Sequence, residues 1–404
     1  MINRRQLLKR LPSIPFLGAI IGTGALTIQE AAAKNPAGFR DFYKELGLRS
    51  FINAAGTYTF MSASLMEPET AAAWQYASQG YVILDDIQDR VGERISSLLR
   101  CEAATVTAGA ASAMTLGTAG VLAGTDPKKV IQIPDLTGMK SEVIIQKSHD
   151  VGYTHAIRNC GVKMVYVETR KELEAAISDK TAMLLFINAS NNEGQVKDID
   201  FVKVGKQYGI PTFNDCAADV PPKENLWKYT EMGFDLVCFS GGKGLRGPQS
   251  AGLLLGKKDL IAAARLHAAP RGNTVGRGMK VNKEEILAMM VALEVYLTKD
   301  HDAEWKLWES QINLISDSAK KVPGVSTEIH VPPIANHVPS LRIRWDQQKV
   351  PITPGKVREA LRNGHPSIET MGGNESVDIT TWMMRPGEER VVASRIQEIL
   401  AAAK

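Results

Sequence analysis

The strongest constraint on the fold is an alternation of short apolar runs with longer helical patterns, which begins at about residue 69. The runs are rich in β-branched and other apolar residues, and segments with helical periodicity separate several of them. Strands that alternate with helices predict a mostly parallel sheet that is covered on both faces. In such a sheet, functional side chains collect at the carboxyl ends of the strands. The sequence therefore predicts an α/β fold with its site along one edge of the sheet.

The individual elements follow from the same patterns. The predicted strands of the first part are Ala103–Thr107, Val130–Ile133, Val143–Gln146, Met164–Val167, Ala182–Ile187, Pro211–Asn214, Phe234–Phe239 and Ala251–Leu255. The predicted helices there are Glu69–Gln79, Asp86–Arg100, Ala110–Leu122, Arg170–Ile177, Phe201–Tyr208 and Asn282–Leu297. Beyond them, the predicted elements are strands at Ser340–Trp345 and Val377–Trp382 and a final helix at Glu388–Ala402. We predict a large domain over residues 34–298, which includes an N-terminal arm, and a smaller α+β C-terminal domain over residues 299–404.

The first 33 residues have the pattern of an export signal. The segment Asn3–Lys9 contains adjacent arginines, and an apolar stretch that prolines and glycines interrupt follows it over Leu11–Ile28. Ala31–Ala33 is a small-residue cleavage site. We expect a twin-arginine signal peptide over residues 1–33, contact with the twin-arginine translocation machinery and a periplasmic location. The alternative is that the segment is retained as an N-terminal membrane anchor.

The charge distribution argues against a nucleic-acid partner. Residues 1–33 contain four basic residues and one acidic residue, so they account for +3 of the net charge of +4. The remaining chain, at +1, has no strong global field for a nucleic acid. The four cysteines are scattered and have no metal-ligand spacing, so we expect neither a structural metal nor a structural disulfide.

A lysine on a glycine-rich turn, Lys243, lies between two of the predicted buried strands. Burial lowers the pKa of a lysine toward the range where its amine is nucleophilic, and such an amine forms a Schiff base with pyridoxal phosphate (PLP). Upstream, Asp215 follows the strand Pro211–Asn214 and would pair with the pyridine nitrogen of PLP. The structural alternatives are a surface loop for the lysine and a helix cap or turn for the aspartate. Asp215 and Lys243 occur in this order, and each follows a buried strand. This combination favours the cofactor roles.

Five segments extend this pattern in a fixed order. They are Ile52–Thr57, Val106–Ala113, Asn214–Pro222, the Lys243 turn and Val275–Val281. With them, residues 45–300 resemble the selenocysteine synthase-like branch of the fold type I PLP-dependent enzymes, which includes seryl-tRNA selenium transferases and D-glucosaminate-6-phosphate ammonia-lyases. The ammonia-lyase side is more similar, mainly through the segment Val275–Val281. The resemblance implies a transferase-like fold type I architecture, the PLP cofactor and a homodimer or higher homo-oligomer with sites between subunits.

Further site residues are expected around Lys243. Gly109, Ala110 and Ala111 open a helix after a strand, where free N–H groups and the helix dipole attract a phosphate, and Ser240 could add a hydroxyl. The resemblance also implies a ring that stacks on the pyridine. His149 is the candidate, a surface turn is its structural alternative, and His155 is the competitor.

Substrate contacts are expected from three more residues. Arg277 would bind a carboxylate, because a guanidinium fits that group in a bidentate way. Asn53 and Thr57 belong to a family pattern and could line the site, and a turn is their structural alternative.

These observations indicate a PLP-dependent enzyme for a small amino acid or amino sugar acid. The first choice is a lyase that performs α,β-elimination, with Lys243 as the Schiff-base amine and then the general base at the α-carbon. The alternatives are a transferase that acts by β-replacement or transamination, a racemase or an aldolase. A different class is a non-catalytic PLP-fold binding protein. Export counts against a phosphorylated cytoplasmic substrate.

Overall fold

The computed structural model of the protein describes residues 40–403, so the predicted signal peptide lies outside the described residues. The strands are β1 Phe51–Asn53, β2 Ala103–Thr107, β3 Glu142–Gln146, β4 Lys163–Val167, β5 Thr181–Ile187, β6 Thr212–Asp215, β7 Leu236–Ser240, β8 Gly252–Gly256, β9 Val325–His330, β10 Ser340–Trp345, β11 Ser367–Glu369 and β12 Val377–Thr380. The first helices are α1 Phe42–Glu45, α2 Pro68–Ser78, α3 Leu84–Leu99, α4 Gly109–Ala123, α5 Pro127–Gln132, α6 His155–Arg158 and α7 Arg170–Ala176. The others are α8 Asp198–Tyr208, α9 Asn225–Met232, α10 Lys258–Leu266, α11 Lys283–Thr298, α12 His301–Lys320, α13 Pro354–Arg362 and α14 Glu388–Ala402.

The large sheet has seven strands in the order β2-β8-β7-β6-β5-β3-β4. Its neighbours pair in parallel except at β8, which is antiparallel to both β2 and β7. This arrangement confirms the predicted, mostly parallel α/β architecture. Because β8 runs backward, the turn between β7 and β8 lies at the same sheet edge as the carboxyl ends of β3, β5 and β6.

Both faces of the large sheet are covered, as the apolar strand sequences require. Along β5 every residue is buried. Leu184 and Phe186 pack into one hydrophobic cluster, whereas Met183 and Leu185 pack into the other. Alternate side chains of a strand point to opposite faces, so one strand contributes to two cores. Burial of this apolar area stabilises the sheet as the frame of the site.

One predicted strand is wrong. The segment Val130–Ile133 does not join the sheet, because its first residues form the last turn of α5. Asp126 caps this helix by accepting a hydrogen bond from the Lys128 N–H, and Pro127 occupies a first-turn position that suits proline. These local start signals outweigh the β propensity of a short apolar run.

The C-terminal part is built on the small antiparallel sheet β12-β10-β9. Helices α12 and α14 pack against each other, and their apolar residues share one hydrophobic cluster with β10 and β12. The predicted strands and the final helix are present there, while α12, α13, β9 and β11 were not predicted. Strand β1 pairs in parallel with β11, so residues 51–53 are joined to the C-terminal part.

Residues 40–48 belong to a separate unit, and the part from Arg49 onward forms another compact unit. In the first unit, Asp41 caps α1, and an ion pair joins Arg40 to Glu45. Within residues 40–403, none of the helices is both apolar and long enough to reach across a bilayer. All four cysteines are free thiols. Over the same described range, the acidic, histidine and cysteine side chains form no group that could hold a metal ion.

Candidate active site

The Lys243 turn is a tightly bonded loop between β7 and β8. The Gly241 N–H donates to the Ala251 carbonyl at 2.8 Å, and the Gly247 N–H donates to the Gly241 carbonyl at 2.8 Å. From outside the turn, Ser64 Oγ donates to the Gly242 carbonyl at 2.7 Å. The backbone that carries Lys243 is therefore held both by its own strands and by the N-terminal segment.

The glycines of this turn are needed for close approach. A Cβ atom on Gly242 would lie 2.5 Å from the Gln249 Cα, and one on Gly244 would lie 2.1 Å from the Val220 carbonyl oxygen. No side chain fits at such distances. The contact at Gly244 also places the Lys243 turn directly against the segment that follows Asp215 and Asp219.

The Lys243 side chain is half-buried, and it forms neither a hydrogen bond nor an ion pair with the residues that the structure describes. Burial lowers its pKa, whereas the nearby groups Asp215, Asp219 and Cys238 act in the opposite direction. An unpaired amine whose charged form is disfavoured is suited to nucleophilic attack on a carbonyl carbon.

Asp215 is the last residue of β6 and is buried. Its two hydrogen bonds both go to Oδ1: the Ala217 N–H donates at 3.0 Å and the Cys238 thiol at 3.6 Å. Burial raises the pKa of Asp215, while the Ala217 N–H and the charge of Lys243 lower it. Oδ2 is thus left for an external donor, such as a protonated ring nitrogen.

The first turn of α4 presents backbone N–H groups that no side chain caps. Gly109 has a φ of +84°, and a Cβ on Gly252 of β8 would lie 2.6 Å from the Gly109 carbonyl carbon. Ala110 is buried and Ala111 is exposed, so the small side chains leave this helix end open. Uncapped N–H groups at the start of a 15-residue helix favour an anion.

A cavity of about 300 Å³ brings part of the predicted site together. Its lining residues are Thr57, Thr59, Ala63, Ser240, Lys243, Gln249 and Ser250. Among the predicted residues, Lys243, Ser240 and Thr57 lie in this wall. The Ser250 carbonyl oxygen also lies 3.5 Å from where a Gly109 Cβ would be, so the start of α4 adjoins the same wall. Ser250 itself donates a hydrogen bond to Glu285.

His149 is fully buried just after β3, and the cavity lining does not include it. Its Nδ1 accepts the Ile187 N–H at 3.1 Å, and its Nε2 lies 3.2 Å from the Gln146 Nε2. The ring stands edge-on to Phe186, with 4.5 Å between the centroids, and burial lowers the pKa of His149 to about 4. The competitor His155 is exposed at the start of α6. A stacking role for His149 stays a prediction.

Two predicted substrate residues lie outside the cavity lining. Arg277 is exposed on the loop before α11. The Oδ1 of Asn53 accepts the N–H groups of Ala55 and Gly56 at 3.1 and 2.9 Å, which makes Asn53 the organiser of a turn next to Thr57. Their contacts with a substrate stay predictions.

Sequence reasoning missed Asp219, which is buried near the lysine, and its buried neighbour Asn188. Asn188 directly follows β5, so the rule that sites form at the carboxyl ends of strands could have found it. Asp219 lies within the motif around Asp215, but no spacing rule marks it. Burial and the charge of Asp215 raise the pKa of Asp219, and the neighbouring Asn188, Cys216 and Lys243 lower it, so that the pKa lies at about 7.

These residues fit PLP. The free amine of Lys243, the open Oδ2 of Asp215 and the uncapped start of α4 match the aldehyde, the pyridine nitrogen and the phosphate of that cofactor. The first two are close enough for the Asp215 charge to raise the Lys243 pKa. The arrangement can hold an amine-reactive, phosphorylated ring and activate the α-carbon of a bound amine.

The chain matches a family model described as SelA, L-seryl-tRNA selenium transferase, over residues 85–329. It is similar to a D-glucosaminate-6-phosphate ammonia lyase from Salmonella typhimurium, strain 14028s / SGSC 2262. The identity is 29% over 375 residues, which cover 89% of this chain and 98% of the relative. A 5'-C-glycyluridine monooxygenase-decarboxylase from a Streptomyces species is 24% identical, with coverage of 89% and 92%.

The fold is similar to the solved structure of a D-glucosaminate-6-phosphate ammonia-lyase. The TM-score is 0.79 at 27% identity, and the match covers 90% of this chain and 99% of that one. A serine palmitoyltransferase structure shares the fold at a TM-score of 0.57 and 12% identity. These likenesses confirm the predicted fold class and cofactor. The family match covers more than half of the chain, including the strand end with Asp215 and the turn with Lys243, so the chain belongs to the SelA-like family of PLP-dependent enzymes.

Proposed function

We propose that the protein is a PLP-dependent lyase that releases ammonia from an amino sugar acid or a small amino acid by α,β-elimination. The observation that carries this proposal is the unpaired, half-buried amine of Lys243 beside the open carboxylate oxygen of Asp215. The near full-length similarity to an enzyme named as an ammonia lyase supports elimination among the PLP reactions.

Each residue of the proposed site has a separate role in binding the cofactor or in proton transfer. Lys243 would hold the cofactor through its amine, and the free amine would take the proton from the α-carbon of the substrate. Asp215 would keep the pyridine nitrogen protonated, and the start of α4 and the Ser240 hydroxyl would hold the phosphate. When bound, PLP withdraws electrons from the α-carbon, which makes that proton acidic. The hydrogen bond from Ser64 holds the Lys243 turn in place and so positions the amine at the cavity.

The substrate end is proposed from three residues. Thr57 is buried in the cavity wall and offers a hydroxyl near Lys243. Asn53 holds the turn that places Thr57, and Arg277 is the proposed carboxylate partner. The relative's name specifies a 6-phosphate substrate. We propose an unphosphorylated acid for this chain, because the predicted export removes the enzyme from phosphorylated cytoplasmic metabolites.

We also propose export by the twin-arginine route and a homodimer. The paired arginines before an interrupted apolar stretch support export, and a cofactor inserted before export suits a route that carries folded proteins. Exposed apolar side chains next to the cavity lining support a subunit contact, since Phe60 and Leu65 are 76% and 57% exposed.

A PLP-dependent transferase is the second candidate, and the description of the matching family model favours it. The net charge of +1 that remains outside residues 1–33 counts against a tRNA substrate for that alternative. β-Replacement on a small amino acid is the form of transfer that this charge balance allows.

The first experiment is the visible absorbance of the purified protein, before and after borohydride, beside Lys243→Ala. We expect a yellow protein that bleaches, leaves a pyridoxyl group on Lys243 and has no such group in the variant. Amino sugar acids and amino acids are then screened for release of ammonia and a keto acid. A colourless protein that cannot be reconstituted with PLP would contradict the proposal, and transfer without ammonia release would favour the second candidate.

A further inference from the structure

A second buried carboxyl group, Asp219, lies beside the lysine of the proposed site. Its side chain is 1% exposed, and neither carboxyl oxygen receives a hydrogen bond from the residues that the structure describes. A buried charged group without donors is costly, so a functional or structural use must maintain it. Asp215, four residues earlier, has two donors on Oδ1.

The position of Asp219 is fixed by the backbone around it. Its N–H donates to the Cys216 carbonyl at 3.1 Å, and its carbonyl accepts from Asn225 Nδ2 at 2.8 Å. The next residue, Val220, is the one whose carbonyl would lie 2.1 Å from a Cβ of Gly244. The segment with Asp219 is thus packed directly against the Lys243 turn.

The groups that face Asp219 come from four segments. Asp215 and Cys216 lie on its own segment, Lys243 on the β7–β8 turn, Asn188 at the end of β5 and Tyr229 on α9. Lys243 is the single cation among them. The Asp219 charge raises the Lys243 pKa, and the Lys243 charge lowers the Asp219 pKa, so the two groups are coupled.

The hydrogen bonds of Asn188 are compatible with both proton states of Asp219. Its Nδ2 donates to Tyr229 Oη at 2.7 Å, and its Oδ1 is buried without a partner. The unpartnered Asn188 Oδ1 is an acceptor, to which a protonated Asp219 would donate. If the Asp219 carboxyl is ionised, the Asn188 amide can adopt the flipped orientation. Asn188 Nδ2 then donates to Asp219, and the Tyr229 hydroxyl donates to Asn188 Oδ1. The network accommodates both forms.

We propose that Asp219 is the second proton-carrying group of the site, which exchanges a proton with the Lys243 amine while Asp215 stays ionised. This inference rests on the proposed function. Asp219 acts through Lys243 and is therefore a positioning and proton-storing residue.

The exchange balances without any further reactant. Lys243 Nζ takes a proton from the α-carbon: the C–H bond breaks, its electron pair stays with the substrate, and an N–H bond forms. The Asp219 carboxylate then takes a proton from the ammonium, so one N–H bond breaks and one O–H bond forms. The amine is neutral again, and in the reverse step the acid returns the proton to Lys243 for the leaving group.

The test uses cofactor-free full-length protein and measures the rate of PLP uptake at Lys243 against pH. The neutral amine reacts, and an ionised Asp219 keeps the amine protonated to higher pH. We expect Asp219→Asn to move the midpoint of uptake down by about one pH unit, because a neighbouring charge shifts a pKa by about that much. Asp219→Glu should restore most of the shift. Asp235→Asn, at the opposite end of the sheet, should leave the midpoint in place.

A second measurement covers the case that Asp219→Asn does not fold. Infrared titration of the wild type should show a protonated carboxyl band that disappears with a midpoint near pH 7 and changes position in Asp219→Glu. In the holoenzyme, kcat of Asp219→Asn should fall about 10²-fold with little change in KM. An unchanged uptake midpoint, or a carboxyl band that Asp219→Glu leaves unaltered, would overturn the inference while PLP attachment at Lys243 remains. Failure of the wild type to take up PLP would overturn the proposed function instead.

Discussion

Each end of the large sheet contains a lysine and an aspartate. The two side chains are paired at one end and are not paired with each other at the other end. At the amino ends of β6 and β7, Asp235 accepts hydrogen bonds from the N–H and the hydroxyl of Thr212 at 2.7 and 2.9 Å and pairs with Lys257 at 2.5 Å. At the carboxyl ends, Lys243 has no ion pair within the described residues, and Asp215 keeps one oxygen open. Satisfied polar groups stabilise the fold, whereas unsatisfied ones are available for chemistry.

Cavity size does not distinguish the two ends. The cavity beside Asp235 and Lys257 measures about 310 Å³, and the one beside Lys243 about 300 Å³. The hydrogen bond and charge of Asp235 raise the Lys257 pKa, and burial lowers that of Lys243. The electrostatic environment therefore distinguishes the paired Lys257 from Lys243, the lysine that we propose is reactive.

We expect the largest difference in activity between variants of the two lysines, Lys243 and Lys257. Lys243→Ala should lower kcat/KM by about 10⁴-fold, because it removes the cofactor attachment and the general base together. Lys257→Ala should leave kcat/KM within about twofold and lower the unfolding free energy by less than about 1 kcal/mol, since Lys257 is half-exposed. Steady-state kinetics and urea unfolding of both variants check this. Comparable activity losses in the two would break the comparison.

We expect the next largest difference between variants of the two aspartates, Asp215 and Asp235. Asp215→Asn removes the charge that keeps the pyridine nitrogen protonated, so we expect about 10³-fold lower kcat and a fold that remains intact. Asp235→Asn leaves buried donors without a charged acceptor and should cost about 1–3 kcal/mol of unfolding free energy with normal kcat. Activity and thermal unfolding are measured on both variants. A large kcat loss in Asp235→Asn would contradict the assignment of that end to stability.

His149 is a hydrogen-bonded side chain at the carboxyl end of the sheet, and its protonation should affect the unfolding free energy. Its pKa in the folded protein is about 4, and the ordinary value is 6.5. The unfolded chain therefore binds the proton more readily, so this contribution is complete above pH 6.5 and is lost as the pH falls toward 4. The loss should reach roughly 3 kcal/mol. His149→Gln should remove this part of the pH dependence in urea unfolding. An unchanged slope would show that the ring is not buried and neutral.

The smallest expected effect compares the two ends of β8. A Cβ on Gly252 would lie 2.6 Å from the Gly109 carbonyl carbon, and a Cβ on Gly256 would lie 2.0 Å from the Asp235 carbonyl oxygen. Both alanine variants should lose about 2 kcal/mol of stability through overpacking. Gly252→Ala alone should also bind PLP more weakly, by about tenfold, because it displaces the start of α4. Equal PLP affinity in the two variants would argue against the phosphate site.

Much of the site could be predicted because its chemistry follows local signals. The buried strands β6 and β7 and the glycine turn pointed to Asp215 and Lys243, and the strand before α4 pointed to the proposed anion site. Sequence reasoning missed Asp219 because its neighbours Lys243 and Asn188 come from distant parts of the chain. The strand predicted at Val130–Ile133 was wrong because helix capping outweighed β propensity.

The sequence by itself determined the α/β class, the mostly parallel sheet and the family, and it identified the two residues that we propose hold the cofactor. Apolar periodicity and turn residues act over a few positions, so the chain records them directly. Tertiary structure alone decided which charged groups are paired. Lys257 meets Asp235, and the His149 ring meets the Ile187 N–H, across separations that no local pattern encodes. Because a polar group is reactive or structural according to its partners and burial, that choice is made only when the strands assemble.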